Sequence, residues 1–303
     1  MIAINNDKKA ESDHKMSASI GTALSEAART LDANRISEPR LDAGALMSHV
    51  IGRDRVFIVA HPEAVITEQQ LKEFEEFVAR RAQGEPLQYI TGHQEFFKLD
   101  FKVTPDVLIP RPETELIVEA VLELVPTGTQ FTFADIGTGS GCLAISILNE
   151  FQKARAIAID TSEQALQAAQ RNAERHCIGD RLRLVQSDLF AGMSVNDTFD
   201  LIVSNPPYVS DDEMNRLQRE VRREPRAALA GGSDGLAIIR RLLVEAPGHL
   251  KQDGYLIFEF GINQERALRD LVDREIWKLI EIRNDLQQIP RTIILQREGS
   301  ESS

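Results

Sequence analysis

Between Ser17 and about Gly84, apolar residues recur at helical spacing. Ile20, Leu24, Ala27, Ala28 and Leu31 fall at i, i+4, i+7, i+8 and i+11, on one face of a helix. A second helix is predicted over residues 39–50, with Leu41, Ala45, Leu46 and His49 facing inward. Thr67 is placed to cap a third helix, which carries Leu71, Phe74, Phe77 and Val78 and ends at Gly84. Together they predict a small helical bundle over residues 17–87, a packing or substrate-docking domain without a chemistry-bearing cluster.

The pattern changes after residue 87. Aromatic and β-branched residues surround a polar centre in QYITGHQEFFKLDFKV, which predicts a β-hairpin linker over residues 88–109. Pro105, Pro110 and Pro112 punctuate the chain before a new helix. Strands are then expected near 131–136, 155–160, 182–187, 199–204 and 254–260. Helices are expected near 113–125, 141–151, 162–177, 234–247 and 264–275. This alternation specifies an α/β domain over residues 110–297, a parallel sheet with helices on both faces. Two final strand-like runs, IWKLIEIRND and RTIILQR, predict an antiparallel hairpin at the sheet edge.

Composition narrows the function. Residues 1–16 are polar and aperiodic and read as a disordered tail, with Met16 as an alternative start; residues 298–303 read as a second tail. No run approaches the roughly 18 apolar residues of a membrane span, and no signal-peptide core opens the chain, so a cytoplasmic protein with no membrane partner is expected. The formal net charge of −12 argues against gripping nucleic acid by its phosphates. Cys142 and Cys177 form neither a CxxC pair nor a disulfide framework, and the six histidines are scattered, so no metal site is expected.

The chemistry concentrates at strand ends. FTFADIG runs into Gly137-Thr138-Gly139-Ser140-Gly141 and then an apolar helix, with Asp135 two residues ahead of the first glycine. Glycines at such a turn let a ligand approach the backbone and the helix N-terminus. A structural tight turn would need glycines too. No Gly-Lys-Ser/Thr follows, which excludes a P-loop, and Cys142 breaks the dinucleotide fingerprint. The next strand ends on Asp160, where an acid can accept both protons of a ribose diol; the alternative role is a helix N-cap, which Thr161 or Ser162 could also fill. Beyond the third strand, Asp188 can accept from an adenine amino group while Leu189 packs on the ring; a loop acid capping a turn is the alternative.

The fourth strand, FDLIVSN, stops at Asn205-Pro206-Pro207-Tyr208. Prolines fix the backbone, so the local carbonyls point in set directions. The Asn205 oxygen and a neighbouring carbonyl can each accept one N–H of a planar NH2 group, and the Tyr208 ring can stack on it. A proline-rich turn with a buried tyrosine is the bland alternative.

DIGTGSG, the acid of AIAID and NPPY together resemble a class I, Rossmann-like S-adenosylmethionine methyltransferase acting on an exocyclic or amide nitrogen. The run Ile109-Pro110-Arg111-Pro112-Glu113-Thr114-Glu115 resembles the HemK/PrmC family more specifically. So do Glu224-Pro225, Ala228-Leu229, Gly231-Gly232, Asp234-Gly235 and GYLIFEFG at 254–261. The resemblance covers roughly residues 17–297 and implies methylation of glutamine N5 in the Gly-Gly-Gln motif of peptide chain release factors. It implies that Gly137 to Gly141 and Asp160 hold the cofactor, and that Asn205 to Tyr208 hold the glutamine. Some members carry an aromatic residue where this chain has Leu189. NPPY serves N6-adenine or N2-guanine methylation equally well, and a non-catalytic cofactor-binding protein is the rival of another class. The acidic composition disfavours the first rival and an intact NPPY the second.

Overall fold

The computed structural model describes residues 18–298, and the two expected tails and Met16 lie outside them, apart from Glu298. The chain divides into two units between Thr91 and Gly92.

The first unit is helical: α1 (Ile20–Ala33), α2 (Pro39–Ile51), α3 (Arg55–Ala60), α4 (Glu68–Ala82) and α5 (Leu87–Thr91). Ile20, Ala23, Ala27 and Leu31 of α1 are buried against Phe74 and Val78 of α4 and Leu46 and Met47 of α2. The expected inward face of α2 is corrected. Leu46 is buried as expected, but Leu41 and His49 are exposed and Ala45 is only partly buried, and Ala43 and Met47 join Leu46 in the core. Apolar residues surround α2 on all sides, so spacing alone did not define its face. The Arg81 guanidinium, buried on α4, donates to Asp42 at 2.7 Å and so turns the Asp42 side of α2 inward. Thr67 caps α4 in a capping box: its hydroxyl accepts from the Gln70 amide, and Gln70 Oε1 accepts from the Thr67 amide. The short helices α3 and α5 were not anticipated, since neither is long enough to show a period. α5 takes up residues expected to begin the hairpin linker.

The second unit opens with a hairpin of β1 (His93–Phe96) and β2 (Leu99–Lys102). Phe97 and Lys98 have φ of 47° and 64°, the conformation of a two-residue turn whose twist matches its strands. There follow α6 (Glu115–Leu124), β3 (Thr132–Ile136), α7 (Cys142–Glu150), β4 (Arg155–Asp160), α8 (Glu163–Arg175), β5 (Leu182–Gln186), β6 (Phe199–Ser204) and α9 (Asp211–Met214). The chain continues through α10 (Ala237–Glu245), β7 (Leu250–Glu259), α11 (Glu265–Leu271), β8 (Trp277–Asn284) and β9 (Pro290–Arg297).

The strands form one seven-stranded sheet in the order β5-β4-β3-β6-β7-β9-β8. The first five are parallel, and β9 pairs antiparallel with both β7 and β8. The final hairpin therefore runs to the edge first and returns inward. Thr292 to Leu295 of β9 are consecutively buried, as an inner strand requires, whereas in β8 only Trp277 is buried and the rest are partly buried or exposed. Successive residues of β3 feed opposite layers: Phe133 packs with Leu143 and Ile147 of α7, and Ala134 with Ile239 and Leu242 of α10. No helix among the described residues is long and apolar enough to cross a membrane, and no group of His, Cys, Asp and Glu among them is placed to hold a metal.

Thr67→Ala removes one half of the capping box. It should cost about 1 kcal/mol of stability, read as a lower urea midpoint for the helical signal with an unchanged slope.

Candidate active site

Between β3 and β6 the strand order reverses, and the loops after the strands splay apart into a cleft. The first wall is the turn from β3 into α7. Gly137, Gly139 and Gly141 all have positive φ. Gly141 is the tightest: a Cβ there would stand 2.9 Å from Ile145 Cδ1 and 3.2 Å from Ala169 Cβ, so α7 and α8 close only over a glycine. Gly137 and Thr138 both donate to the Ile159 carbonyl, which ties the turn to the end of β4.

Asp135 lies beneath this turn, fully buried. Its Oδ2 accepts from the Thr138 hydroxyl at 2.7 Å and the Ala144 amide at 3.2 Å, while Oδ1 has no partner among the described residues. Burial pushes the Asp135 carboxyl up to about 7, opposed by the Thr138 and Ala144 bonds and reinforced by the nearby Asp160 charge. Asp160 accepts from the Gly139 amide and the Ser162 amide, each at 2.9 Å and each through a different oxygen. Burial raises its pKa against those amide bonds. The N-cap of α8 is Ser162, whose hydroxyl accepts from the Ala165 amide. Asp160 is thus not the cap, and its half-buried carboxylate stands on the cleft wall.

Beyond β5, Leu189 is buried at φ 48° and forms an apolar wall. Asp188 is exposed, and Arg241 donates to both of its oxygens at 2.9 and 3.0 Å.

The NPPY tetrad leaves the end of β6. Asn205 Nδ2 donates to Thr114 Oγ1 at 2.9 Å, Thr114 donates to Glu259 Oε2 at 2.6 Å, and the Tyr208 hydroxyl donates to Glu259 Oε1 at 2.7 Å. Burial raises the pKa of Glu259; Thr114, Tyr208 and Arg291 oppose the shift and Glu113 adds to it. Burial and the Glu259 charge push the Tyr208 phenol well above its ordinary range. Gln264 Nε2 donates to the Tyr208 carbonyl at 2.9 Å, and a Cβ at Gly235, where φ is +77°, would collide with that carbonyl. Glu224 accepts from the Ile109 amide at 3.1 Å and from Arg111, which joins the Glu-Pro segment to the IPRP run.

The cleft holds a cavity of about 250 Å³, room for a nucleoside rather than for a water or two. Gly137, Gly139, Asp160, Asp188, Leu189, Asn205, Pro206 and Pro207 line it. Asp135, Thr138, Ser140 and Gly141 do not line it; the first three are buried and Gly141 packs against α8. Tyr208 lines a smaller adjoining cavity with Arg111 and Val209, and Asn205 and Pro206 line both cavities. Sequence reasoning assigned no role to Thr114 or Glu259. The signal available was a lone glutamate inside the apolar strand YLIFEF, since a buried carboxylate persists only where it is paired.

The strand order, the glycine turn after the first parallel strand and a polar tetrad after the fourth define a class I methyltransferase catalytic unit. Solved structures agree on the fold: a methyltransferase from Pyrococcus furiosus has 22% identity over 67% of this chain and 91% of its own, with TM-score 0.50. The hMettl16 catalytic domain, solved in complex with the MAT2A 3′UTR hairpin 6, has 14% identity over 79% of this chain and 86% of its own, with TM-score 0.56. Residues 22–92 match the PrmC N-terminal domain family and residues 113–233 the methyltransferase small domain family. The release factor glutamine methyltransferase of Koribacter versatilis (strain Ellin345) is 40% identical over 279 residues, 92% of this chain and 98% of its own length. That of Moorella thermoacetica is 44% identical over 249 residues, 82% of this chain and 88% of its own. The chain belongs to the release factor glutamine methyltransferase family.

Because its folded pKa is raised, Asp135 is favoured neutral beneath the glycine turn. The stability it contributes is complete below its unfolded pKa, near ~4, and is lost as pH rises through about 7. Asp135→Asn abolishes this titration. Wild-type protein should therefore lose more melting temperature than the variant between about pH 4 and about pH 7; parallel slopes would show that Asp135 ionises without cost.

Proposed function

We propose that this chain transfers a methyl group from S-adenosylmethionine to glutamine N5 in the Gly-Gly-Gln motif of class 1 peptide chain release factors, leaving S-adenosylhomocysteine. The observation that carries the reading is that Asn205 and Pro206 stand on the walls of two adjoining cavities. The larger suits an adenosine-type ligand. Backbone at Gly137 and Gly139 allows close approach, the Asp160 carboxylate offers acceptors to a ribose diol, and Leu189 supplies an apolar surface for a base. Asp188 reaches an adenine amino group by sharing or leaving Arg241, an exposed pair of a kind worth about 0–1 kcal/mol. The smaller cavity, with Tyr208, Leu108 and Val209, suits a planar side-chain amide.

S-Adenosylmethionine, when bound, supplies a methyl group activated by its sulfonium. The chain's own residues supply alignment. Asn205 accepts one N–H of the glutamine amide through Oδ1, a neighbouring backbone carbonyl accepts the other, Pro206 and Pro207 hold that carbonyl in direction, and the Tyr208 ring flanks the amide plane. Holding reacting atoms in line is worth about 7–11 kcal/mol. Two preorganised acceptors also stabilise the positive charge that develops on nitrogen. No side chain acts as a base, because the methylated amide sheds its proton to water. Glu115 is already engaged by the Phe97 amide at 2.9 Å. The helical unit is assigned to docking the release factor, whose work at the ribosome puts the enzyme in the cytoplasm, with no direct nucleic-acid contact and no metal.

Labelled cofactor offered with purified release factor, beside tRNA, ribosomal RNA and DNA, tests the substrate class. Label is expected on the factor alone; label on nucleic acid would overturn the reading. Asp160→Ala should weaken cofactor binding tenfold to hundredfold, on the order of a bond to a charged group at about 1.5–3 kcal/mol. Unchanged affinity by calorimetry would reduce Asp160 to a loop anchor. Asn205→Ala should keep its melting temperature and most of its cofactor affinity yet lose transfer by roughly a hundredfold or more, while Asn205→Asp keeps an acceptor and partial activity. Transfer by the alanine variant at the wild-type rate would mean that the glutamine is held elsewhere.

A further inference from the structure

We infer that Glu259, acting through the Thr114 hydroxyl, sets which way round the Asn205 amide sits, and is thereby a positioning residue for the glutamine. The inference deepens the function proposed above and rests on it.

A threonine hydroxyl has one proton to give. Thr114 Oγ1 stands 2.6 Å from Glu259 Oε2 and 2.9 Å from Asn205 Nδ2. An ionised carboxylate only accepts, so the Thr114 proton goes to Glu259. Burial raises the Glu259 pKa, and the Thr114 and Tyr208 hydroxyls and the Arg291 charge oppose it in favour of that ionised form. The hydroxyl then faces Asn205 with lone pairs alone, and Asn205 must present its NH2 to it. The Asn205 Oδ1 is left as the acceptor, with no protein partner among the described residues. The opposite polarity would set the Asn205 NH2 against the NH2 of a substrate glutamine, donor against donor. The second Glu259 oxygen takes the Tyr208 hydroxyl at 2.7 Å, so one carboxylate secures both side chains assigned to the substrate amide. Thr114 and Glu259 are 2% and 1% exposed, which denies water the chance to replace either partner. Packing alone does not account for a charge there, since an apolar residue would fill the same strand position without desolvation cost.

Two variants of Thr114 separate this relay from simple packing. Thr114→Val keeps the shape and deletes the hydroxyl; Thr114→Ser keeps the hydroxyl and deletes the methyl. The relay predicts that Thr114→Val lowers kcat for release factor by about tenfold to hundredfold, the scale of a misplaced reacting group. Cofactor affinity should hold, and Thr114→Ser should recover most of kcat. Packing predicts the reverse order, with valine tolerated and serine impaired. In an Asn205→Ala background, Thr114→Val should cost nothing further, because the group it orients is gone. Full activity in Thr114→Val, equal losses in valine and serine variants, or additive losses with Asn205→Ala would each overturn the relay while leaving the proposed reaction standing. A wild-type enzyme inert on glutamine but active on another amino group would overturn the reaction, and the relay as stated with it.

Discussion

The reversal of strand order between β3 and β6 is the constraint on which the rest of the catalytic unit depends. Chain arrives at β3 and leaves toward β4 and β5 on one side, then returns to β6 and β7 on the other. Loops after neighbouring strands must therefore part at that point, and the carboxyl ends of the strands open into a cleft. Each group assigned to the chemistry stands at or just after such an end: the glycine turn after β3, Asp160 closing β4, Leu189 past β5, and Asn205 past β6. A parallel sheet delivers them together from points as far apart in sequence as Gly137 and Asn205.

The cleft is held by bonds that tie one loop to the next. The Ile159 carbonyl takes two amides of the glycine turn, and Asp160 takes a third, so the ends of β3 and β4 are locked in register beyond their last ladder bonds. Ser204 donates to the Ile136 carbonyl at 2.7 Å and does the same for β6 against β3. Glu259 closes β7 and binds side chains from the segment before α6 and from the tetrad. Arg111 and Glu224 fasten that same segment to the Glu-Pro run. Buried polar groups are costly unless satisfied, and Thr114, Asn172, Ser204, Glu224 and Glu259 are satisfied by partners from a different segment, which ties the loops to one another.

Much of this was legible in the chain. Alternation of apolar strands with amphipathic helices set the α/β class, because period 2 and period 3.6 are visible wherever one face is buried. Glycine, proline and a strand-terminal acid marked the cleft, since few residues tolerate a positive φ or a fixed carbonyl direction. The inner position of β9 was also present, in the unbroken run Thr292 to Leu295, although two strand-like runs at the end of a chain read equally well as an edge hairpin.

What the sequence determined by itself was local: which segments become strands and helices, where they stop, and which stops line the cleft. Those outcomes follow from steric and periodic properties of neighbouring residues. Tertiary structure alone decided which side of α2 is buried, because its apolar residues surround it and its packing partners, with Arg81 opposite Asp42 among them, fix the face. It alone decided that Asp188 meets Arg241, that Ser162 rather than Asp160 caps α8, and that Thr114, Asn205, Tyr208 and Glu259 share one chain of hydrogen bonds. Those partners lie up to 145 residues apart, and a hydrogen bond depends on positions within a few tenths of an ångström, which no spacing along the chain encodes.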